Sequence, residues 1–404
     1  MPPPKKIGQR LNAKGLCDKL LAMDALDYAR DLIAFDSISP VSNCAVTDYV
    51  EEKLKRLGFE TERLEFHDAV GIRKASVVGK RGQGTGGMAW FGHTDVVPAD
   101  SWSVKEHGPF QPTVKGSRLY GRGSTDMKGP VGCMLAAAER WTQVKHQQPL
   151  YITCTADEEV GFNGARQVAA ESTLFAEMVS GNSRGIIGEP TCLEVVHAHK
   201  GVVGFVVTSR GRAAHSSTDK GLNANLAMIP FLGEMKQIHD EVNGNSAWQN
   251  NEFQPPTLSW NIGINDQTRA VNITAPQSVC TVYFRPMPGM DVKPLIDRAR
   301  SAAEANGLEF KLSVEGEPVY TPADSPLVRD ALALAERGKS ITVAYATDGA
   351  MFGALKQMCV IGPGDIAQAH TNDEWIELDQ LERGTGLYSR MIEEWCIKGT
   401  AAHG

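Results

Sequence analysis

The chain of 404 residues is long enough for two or three domains, and 42% hydrophobic with 22% charged residues is an ordinary globular composition. Its formal net charge of −7, without a block of lysines or arginines, argues against nucleic-acid binding and favours small-molecule or peptide substrates. No run of about 18 apolar residues occurs, so we expect no membrane span.

The eight cysteines are scattered along the chain and form no C-x-x-C pair. This spacing predicts neither a disulfide framework nor a thiolate zinc site, and it fits a reducing cytoplasm. The N-terminal residues 1–6 are not followed by the apolar core of a signal peptide. We therefore expect a cytoplasmic protein.

Apolar residues recur every three to four positions early in the chain, as in amphipathic helices, and β-rich runs follow. The elements predicted in this part are helices over residues 16–33 and 46–57 and strands over residues 59–66 and 75–79. The glycine-rich residues 82–87 resemble a phosphate-binding loop, but that motif requires a following helix, and a strand follows here. We therefore predict a hairpin turn at residues 82–87.

His93 and Asp95 follow a short apolar run at residues 88–91, which predicts a buried strand. Ligands of open α/β sheets gather beyond the carboxyl ends of the strands. Because a metal-bound imidazole normally donates its other N–H to a carboxylate, Asp95 is well spaced to support His93. On these residues alone, a structural histidine bonded to a loop carboxylate is the alternative.

Further metal-ligating side chains stand at the ends of other predicted strands or in the loops beyond them. They are Asp126, Glu158, Glu159, Glu189 and His370. Glu158 and Glu159 follow a β-rich run at residues 149–155, and two adjacent glutamates in a sheet crevice repel each other unless a cation or a proton neutralises one. The alternative for this pair is a solvated acidic turn before a helix.

The pattern changes between residues 200 and 314, which predict a small α+β unit. Its predicted elements are strands at 202–207, 257–262, 279–284 and 308–314 and helices at 223–240 and 292–305. A doubly wound pattern then resumes, with helices near 325–337 and 350–356 and strands at 341–345 and 358–361. We predict an α/β catalytic domain of residues 1–199 and 315–404, with helices packed on a mostly parallel sheet, and a smaller domain of residues 200–314 inserted between its two parts.

Nitrogen and oxygen donors such as these histidines and carboxylates suit Zn²⁺ or Co²⁺. The number of candidate ligands allows two ions, provided that Asp126 bridges them and each ion receives one histidine and one further carboxylate. Glu158 is then left over beside the ions. A carboxylate that is free of the metals but within reach of a water molecule is what a general base for hydrolysis requires.

With these residues assembled, the sequence resembles the M20 family of metallo-aminoacylases and peptidases. The matching motifs are GHTDVVP (92–98), GRGSTDMKG (121–129), DEEVG (157–161), GEPT (188–191) and the late His370. The similarity continues through AHKG (198–201), AHSS (214–217), RPMPGM (285–290), GPG (362–364) and QAH (368–370). It therefore covers nearly the whole chain.

The resemblance implies a role for each candidate. His93 and Glu189 would hold one zinc ion, Glu159 and His370 the other, and Asp126 would bridge; Glu158 would be the base, and Asp95 would support His93. It also implies that the inserted domain is a ferredoxin-like lid that carries the interface of a homodimer. Across this dimer, His215 would donate to the oxyanion; a loop histidine bonded to its neighbouring serines is the alternative.

The motifs specify the residues that bind the substrate less closely than the metal ligands. The resemblance puts Asn272, Arg285 and Gly362 near the substrate, where the fork of donors on Arg285 could take a carboxylate; an exposed surface charge is the alternative for Arg285. Asp348 could meet a substrate ammonium. His197 and His199 lack a nearby carboxylate, and Cys192 is better explained as a structural thiol than as a ligand.

The expected activity is hydrolysis of the amide bond of an N-acyl amino acid by an enzyme with two Zn²⁺ ions, for which Co²⁺ could substitute. Within the family the resemblance is strongest to members that deacetylate N-acetyl-L-ornithine, but acetylcitrulline, succinyl-diaminopimelate and dipeptides stay open as substrates. A metal-binding homologue without turnover is the non-enzyme alternative, and the presence of Glu158 argues against it. A dinucleotide-dependent enzyme has only residues 82–87 in its favour.

Overall fold

The computed structural model describes residues 23–268 and 270–399. Its helices are α1 Ala25–Ile33, α2 Cys44–Arg56, α3 Lys128–Glu139, α4 Asn163–Glu171, α5 Thr173–Ser180, α6 Ala224–Gly244, α7 Lys293–Ala305, α8 Pro326–Ala335 and α9 Leu378–Ile392. The part of the first predicted helix before residue 23 lies outside the described residues. Among those residues, none of the helices combines the length and the apolar character needed to cross a membrane.

The strands form three sheets within the described part of the chain. They are β1 Glu60–His67, β2 Arg73–Arg81, β3 Met88–His93, β4 Thr113–Lys115, β5 Arg118–Tyr120, β6 Leu150–Thr155, β7 Arg184–Ile187, β8 Val196–His199, β9 Val202–Arg210, β10 Asn261–Asn265, β11 Gln277–Phe284, β12 Glu309–Gly316, β13 Val319–Tyr320, β14 Ile341–Val343, β15 Met358–Val360 and β16 Trp375–Glu377.

The large sheet has the strand order β1-β2-β6-β3-β7-β15-β8-β13, and β14 also pairs with β8. Its four central strands, β6, β3, β7 and β15, pair in parallel. β3 and β6 are buried along their whole lengths, as expected for parallel strands covered on both faces. The predicted α/β class is confirmed, but parallel pairing is concentrated at the centre, because β1, β2 and β13 pair only antiparallel.

The glycine-rich residues 82–87 do not form a hairpin turn. They join β2 to β3, yet these strands lie on opposite sides of β6, which pairs with both. At the end of this loop, Gly87 has a φ of +70°, and a Cβ there would come within 2.0 Å of the carbonyl oxygen of Pro149. The hairpin prediction was wrong because the connection passes over the start of β6, where only a glycine fits.

The segment from β9 to β12 builds the smaller unit. Its antiparallel sheet has the order β10-β11-β9-β12, and the chain runs strand, helix, strand, strand, helix, strand, which is the ferredoxin-like arrangement. Helices α6 and α7 bury a separate core against this sheet, centred on Phe205, Phe231, Trp260 and Phe284. β10 begins four residues later than the predicted 257–262, and the domain limits of 200 and 314 stay a prediction.

Two differences lie in the C-terminal part. The helix predicted near 350–356 is only a short 3₁₀ turn at Asp348–Met351. Helix α9 was not predicted; it packs on α1 and α3 through the large apolar core. Just before α9, β16 pairs with β5 in a small three-stranded sheet. This pairing brings residues 375–377 against residues 118–120, beside the loop that carries Asp126.

Candidate active site

Three of the candidate ligands lie at one edge of the large sheet. His93 is the last residue of β3, Glu159 belongs to a single 3₁₀ turn after β6, and Glu189 follows β7 by two residues. Since β6, β3 and β7 are adjacent and parallel, their carboxyl ends meet at this edge. Loops deliver Asp126 and His370 to the same place.

The side chains meet in two groups that share Asp126. In the first group, Nε2 of His93 lies 3.1 Å from Oδ1 of Asp126 and 3.5 Å from Oε1 of Glu189. In the second, Nε2 of His370 lies 3.4 Å from Oδ2 of Asp126 and 3.1 Å from Oε2 of Glu159. Within each group the ligand atoms are within 4.8 Å of one another, close enough to hold one metal ion. The two oxygens of Asp126 therefore face different groups.

The charges of this centre fit a divalent cation. Burial raises the pKa of Glu189, and the neighbouring carboxylate of Asp126 raises it further. Hydrogen bonds to Asp126 and Glu159 raise the pKa of His370 to about 10. Oε1 of Glu159 is buried and has no hydrogen-bond partner in the described part of the chain. Carboxylates crowded in this way are stabilised by protons or by cations, and the donor set of imidazole and carboxylate suits zinc or cobalt.

Glu158 belongs to neither group. Its side chain is 11% exposed, and its Oε2 lies 4.0 Å from Nε2 of His93. Burial and the charges of Glu189 and Glu159 raise the pKa of Glu158 well above its ordinary value, although His93 opposes them. Glu158 is thus a carboxylate that lies beside the two groups without belonging to either of them.

Asp95 does not support His93 in the way the sequence suggested. Nδ1 of His93 lies 2.9 Å from the backbone oxygen of Asp95, whereas the carboxylate is 3.7 Å away. The carboxylate instead accepts hydrogen bonds from the backbone N–H groups of Glu158 at 3.1 Å and Glu159 at 3.3 Å. It also accepts one from Oγ of Ser39 at 2.8 Å. Its side chain therefore holds the turn that carries both glutamates.

A cleft of about 430 Å³ opens over the two groups and includes side chains of both domains. Arg285 and Tyr283 contribute from the smaller unit, with the guanidinium 4.9 Å from the centre of the Tyr283 ring. Tyr345, which was not predicted as a site residue, lines the cleft on the side of the large sheet. Burial raises the pKa of its phenol. With Phe162, the cleft thus joins the carboxylate centre to one guanidinium group and three aromatic rings.

Two predicted substrate residues lie behind the cleft wall. Asp348 is 2% exposed and accepts a hydrogen bond from Oγ1 of Thr155, and burial raises its pKa to about 7. Gly362 packs so closely on the backbone after β7 that a Cβ would come within 2.0 Å of the carbonyl oxygen of Gly188. Neither residue lines the cleft in this structure, so contact of either with substrate stays a prediction.

His215 and Asn272 lie together on the smaller unit, but away from the cleft. Both are exposed, and the backbone N–H of Ser216 donates to the backbone oxygen of Asn272 at 2.9 Å. Nδ1 of His215 lies 2.7 Å from Oγ of Ser217. Four of the five candidate ligands therefore line one cleft together with Glu158 and Arg285, and the fifth, His93, is buried directly behind Asp126 and Glu189. His215 and Asn272 lie outside the cleft.

The two histidines of β8, His197 and His199, lie outside both ligand groups, and so does Cys192. His199 is fully buried, with Nδ1 2.8 Å from the carbonyl oxygen of Lys200 and Nε2 2.9 Å from Oγ1 of Thr347. Burial lowers its pKa to about 4. His197 packs edge-on against Tyr320, and Cys192 is half-buried. His199 thus has structural partners for both ring nitrogens.

Three buried residues behind the centre, Lys74, Asp157 and Glu374, have roles that the sequence did not predict. Lys74 and Asp157 form an ion pair at 2.9 Å directly before Glu158, with both side chains almost fully buried. Glu374 accepts several hydrogen bonds from the loop that ends in Asp126. The available signal was weak: a lone lysine on β2, and a carboxylate four residues after His370.

A sequence profile of peptidase family M20/M25/M40 matches residues 89–394, well over half of the chain. The chain belongs to this family. The acetylornithine deacetylase of Myxococcus xanthus is 32% identical over 380 residues, covering 91% of this chain and 96% of that protein. The acetylornithine deacetylase of Proteus mirabilis is 33% identical over 394 residues, covering 92% and 97%.

Solved structures agree on the fold. An M20 family metallo-carboxypeptidase from Sulfolobus solfataricus superposes with a TM-score of 0.73 at 16% identity, covering 92% of this chain and 99% of that one. A dinuclear metal-binding peptidase of the same family from Bacillus subtilis gives a TM-score of 0.59 at 13% identity, covering 91% and 96%. With the family established, this protein is a metal-dependent amidohydrolase.

Proposed function

We propose that the protein removes the acyl group from an N-acyl amino acid, with N-acetyl-L-ornithine as the substrate and ornithine and acetate as products. The relatives that match over nine-tenths of the chain carry this activity in their names. The observation that carries the proposal is Glu158, a carboxylate in the cleft beside both ligand groups and part of neither. The reaction would serve arginine biosynthesis in the cytoplasm.

We assign the ligands to two zinc ions, for which cobalt could substitute. His93 and Glu189 would hold one ion, Glu159 and His370 the other, and Asp126 would bridge, in agreement with the two groups that share Asp126. The related peptidase from Bacillus subtilis is described as dinuclear. Such ions, when bound, polarise a substrate carbonyl and make a water molecule more acidic.

The chain's own residues would move the proton. The Glu158 carboxylate would take a proton from the attacking water as the new C–O bond forms. It would then deliver that proton to the amide nitrogen as the C–N bond breaks, because an amide nitrogen leaves readily only when it is protonated. The backbone bonds from Glu158 and Glu159 to Asp95 hold this turn in place for both steps.

We assign the substrate carboxylate to Arg285, the cation on the wall of the cleft. We assign oxyanion stabilisation to His215 of a second subunit in a homodimer, since His215 of the same chain lies outside the cleft. Seven of the fourteen exposed large apolar side chains in the described residues fall between residues 222 and 283. Exposed apolar surface of this kind is typical of an interface.

A second candidate substrate is acetylcitrulline, whose side chain is neutral. In the described residues, the acidic side chains lining the cleft are Glu158 and the proposed ligands, while Asp348 lies behind the wall. The rest of the cleft wall includes Val160, Tyr283, Tyr345 and Ile366. A neutral side chain could pack there without a paired carboxylate.

A substrate panel separates these candidates. Protein loaded with zinc or with cobalt is assayed on acetylornithine, acetylcitrulline, succinyl-diaminopimelate, other N-acyl amino acids and dipeptides. We expect the highest kcat/KM with acetylornithine. A higher value with acetylcitrulline would move the assignment to that substrate, and preference for dipeptides would contradict deacylation.

A further inference from the structure

Glu374 is a fully buried carboxylate with an unusual number of donors around it. Its Oε1 accepts hydrogen bonds from the backbone N–H groups of Thr125 at 2.8 Å and Asp126 at 3.0 Å. Its Oε2 accepts from the backbone N–H of Gly123 at 2.8 Å and from Nη1 of Arg122 at 2.9 Å. Because all four partners donate, only the unprotonated carboxylate satisfies every bond.

These bonds converge on the short loop between β5 and α3. Further contacts come from the same part of the chain: the backbone N–H of Gly121 donates to the backbone oxygen of Glu374 at 3.1 Å, and Oγ1 of Thr125 donates to that of Trp375 at 2.7 Å. The loop lies between two anchors, because β5 pairs with β16 on one side and α3 begins at Lys128 on the other. Three backbone N–H groups and one guanidinium of this loop thus share a single side chain from a distant segment as their acceptor.

We propose that Glu374 is a positioning residue for the metal centre: by clamping residues 122–126, it holds the Asp126 carboxylate where its two oxygens serve both ligand groups. The proposal rests on the two-ion centre proposed above. The loop that contains Glu374 also supplies His370, four residues earlier. The segment that contains residues 370–374 therefore contributes the ligand His370 directly. It also holds the ligand Asp126, because the Glu374 side chain binds the backbone N–H of Asp126.

The two ligand groups predict different losses of metal binding for different substitutions. Because Oδ1 of Asp126 faces His93 and Oδ2 faces His370, a displaced Asp126 weakens both ion sites together. The loss of a ligand such as Glu189, which belongs to one group, weakens mainly that site. Residues that orient ligands from behind typically change metal affinity by about 10- to 100-fold.

Glu374→Gln tests this with little change in shape. The amide keeps one accepting oxygen but turns an NH₂ group toward two of the donors. Metal-free protein is titrated with Zn²⁺ by calorimetry, and the visible absorption of Co²⁺-loaded protein reports the ligand geometry. We expect both affinities to fall by about 10- to 100-fold and the Co²⁺ bands to shift, with circular dichroism like that of the wild type.

Glu377→Gln is the matched control. Glu377 lies three residues away on β16 and accepts hydrogen bonds from Oγ of Ser117 at 2.7 Å and Nε of Arg118 at 2.8 Å, rather than from the Asp126 loop. The metal affinities of this variant are expected within about twofold of those of the wild type, as for a partly exposed ion pair away from the Asp126 loop. Equal losses in both variants, or none in Glu374→Gln, would overturn the positioning role.

A double-mutant cycle tests whether the effect passes through Asp126. If the effect passes through Asp126, Glu374→Gln should lower the metal affinities much less in the Asp126→Asn background than in the wild-type background. Full additivity contradicts the proposal. If Glu374→Gln does not fold, Arg122→Lys takes its place, with a loss at both sites of about threefold to tenfold, and unchanged affinities then count against the clamp. Wild-type protein that binds fewer than two ions contradicts the two-ion centre itself.

Discussion

His93, Asp126 and Glu189 are buried together at the sheet edge of the catalytic part, with their ligand atoms within 4.8 Å of one another. His215 and Asn272 in the smaller unit are exposed and lie outside the cleft. His93 and Asp126 are held by buried hydrogen bonds, whereas the imidazole of His215 is bonded to Ser217 of its own exposed loop. One region thus has its polar groups preorganised within a single chain, and the other presents them at a surface.

This contrast bears on how the activity would depend on assembly. A metal centre built by one subunit can bind ions without a partner. An oxyanion donor on an exposed loop acts only when another surface covers it, because a hydrogen bond is worth more in a water-poor site than in solvent. The exposed apolar side chains near His215, such as Leu222, Val271 and Ile273, suit such covering.

The largest effect is expected from Glu158→Gln in the preorganised region. The amide cannot take or deliver the proton, so kcat should fall by about 10²- to 10⁴-fold or more. Both metal equivalents should stay, because Glu158 belongs to neither ligand group. Steady-state kinetics with elemental analysis checks both halves of this prediction.

Glu171→Gln serves as the control for this variant. Glu171 ends α4 and pairs with Gln167 on the surface, so its loss should leave both activity and metal content unchanged. Near-full turnover by Glu158→Gln, or the loss of one metal equivalent, would show that its role was assigned wrongly.

A smaller but still large effect is expected from His215→Ala in the exposed region. Removing one oxyanion donor typically costs about 10²- to 10³-fold in kcat. The variant should bind both ions and form dimers, since His215 is exposed and outside both ligand groups. His239→Ala, which removes another exposed histidine of the same unit, is the control and should behave like the wild type.

Mixing distinguishes donation within a chain from donation across a dimer. A hybrid of His215→Ala and Glu158→Gln subunits contains one site with both groups, so random exchange should restore about a quarter of the wild-type activity. If labelled subunits exchange and no activity returns, donation from the partner is refuted. If the protein is a monomer in solution and His215→Ala still loses activity, donation from a partner subunit is refuted as well.

The two regions also differ in how far the sequence could predict them. Apolar runs that end in histidine or carboxylate identify strand ends, and parallel strands bring such ends together, which is why His93, Glu159 and Glu189 could be grouped. Glu374 could not be found in this way, because it contacts backbone about 250 residues earlier, and backbone donors carry no sequence signal. The same limit explains Asp95, whose carboxylate binds the N–H groups of Glu158 and Glu159 rather than His93.

Two predictions of secondary structure were wrong for related reasons. The hairpin predicted at residues 82–87 assumed that strands adjacent in sequence pair with each other, and β6 lies between them instead. The start of β10 was misplaced because Trp260 and Leu258 are buried in the core of the smaller unit without belonging to a strand. Apolar burial alone does not distinguish these two cases.

The smallest effect is expected where the two regions meet, at Arg285. This side chain comes from the smaller unit but lines the cleft of the catalytic part. If its guanidinium binds the substrate carboxylate, Arg285→Met should raise KM by about 10- to 100-fold, the worth of one or two charge-assisted hydrogen bonds, with a smaller change in kcat. Metal content should be unchanged, because Arg285 is outside both ligand groups.

A substrate analogue makes this prediction specific. For an N-acyl amine without the α-carboxylate, wild type and Arg285→Met should have similar kcat/KM, since the group that the arginine recognises is absent. Arg300→Met is the matched control: Arg300 also lies over an aromatic ring of the smaller unit, at 4.4 Å from the centre of Phe310, but outside the cleft. A loss that is equally large for the analogue would mean that Arg285 stabilises the cleft wall through its contact with Tyr283, and carboxylate recognition would then have to come from another residue.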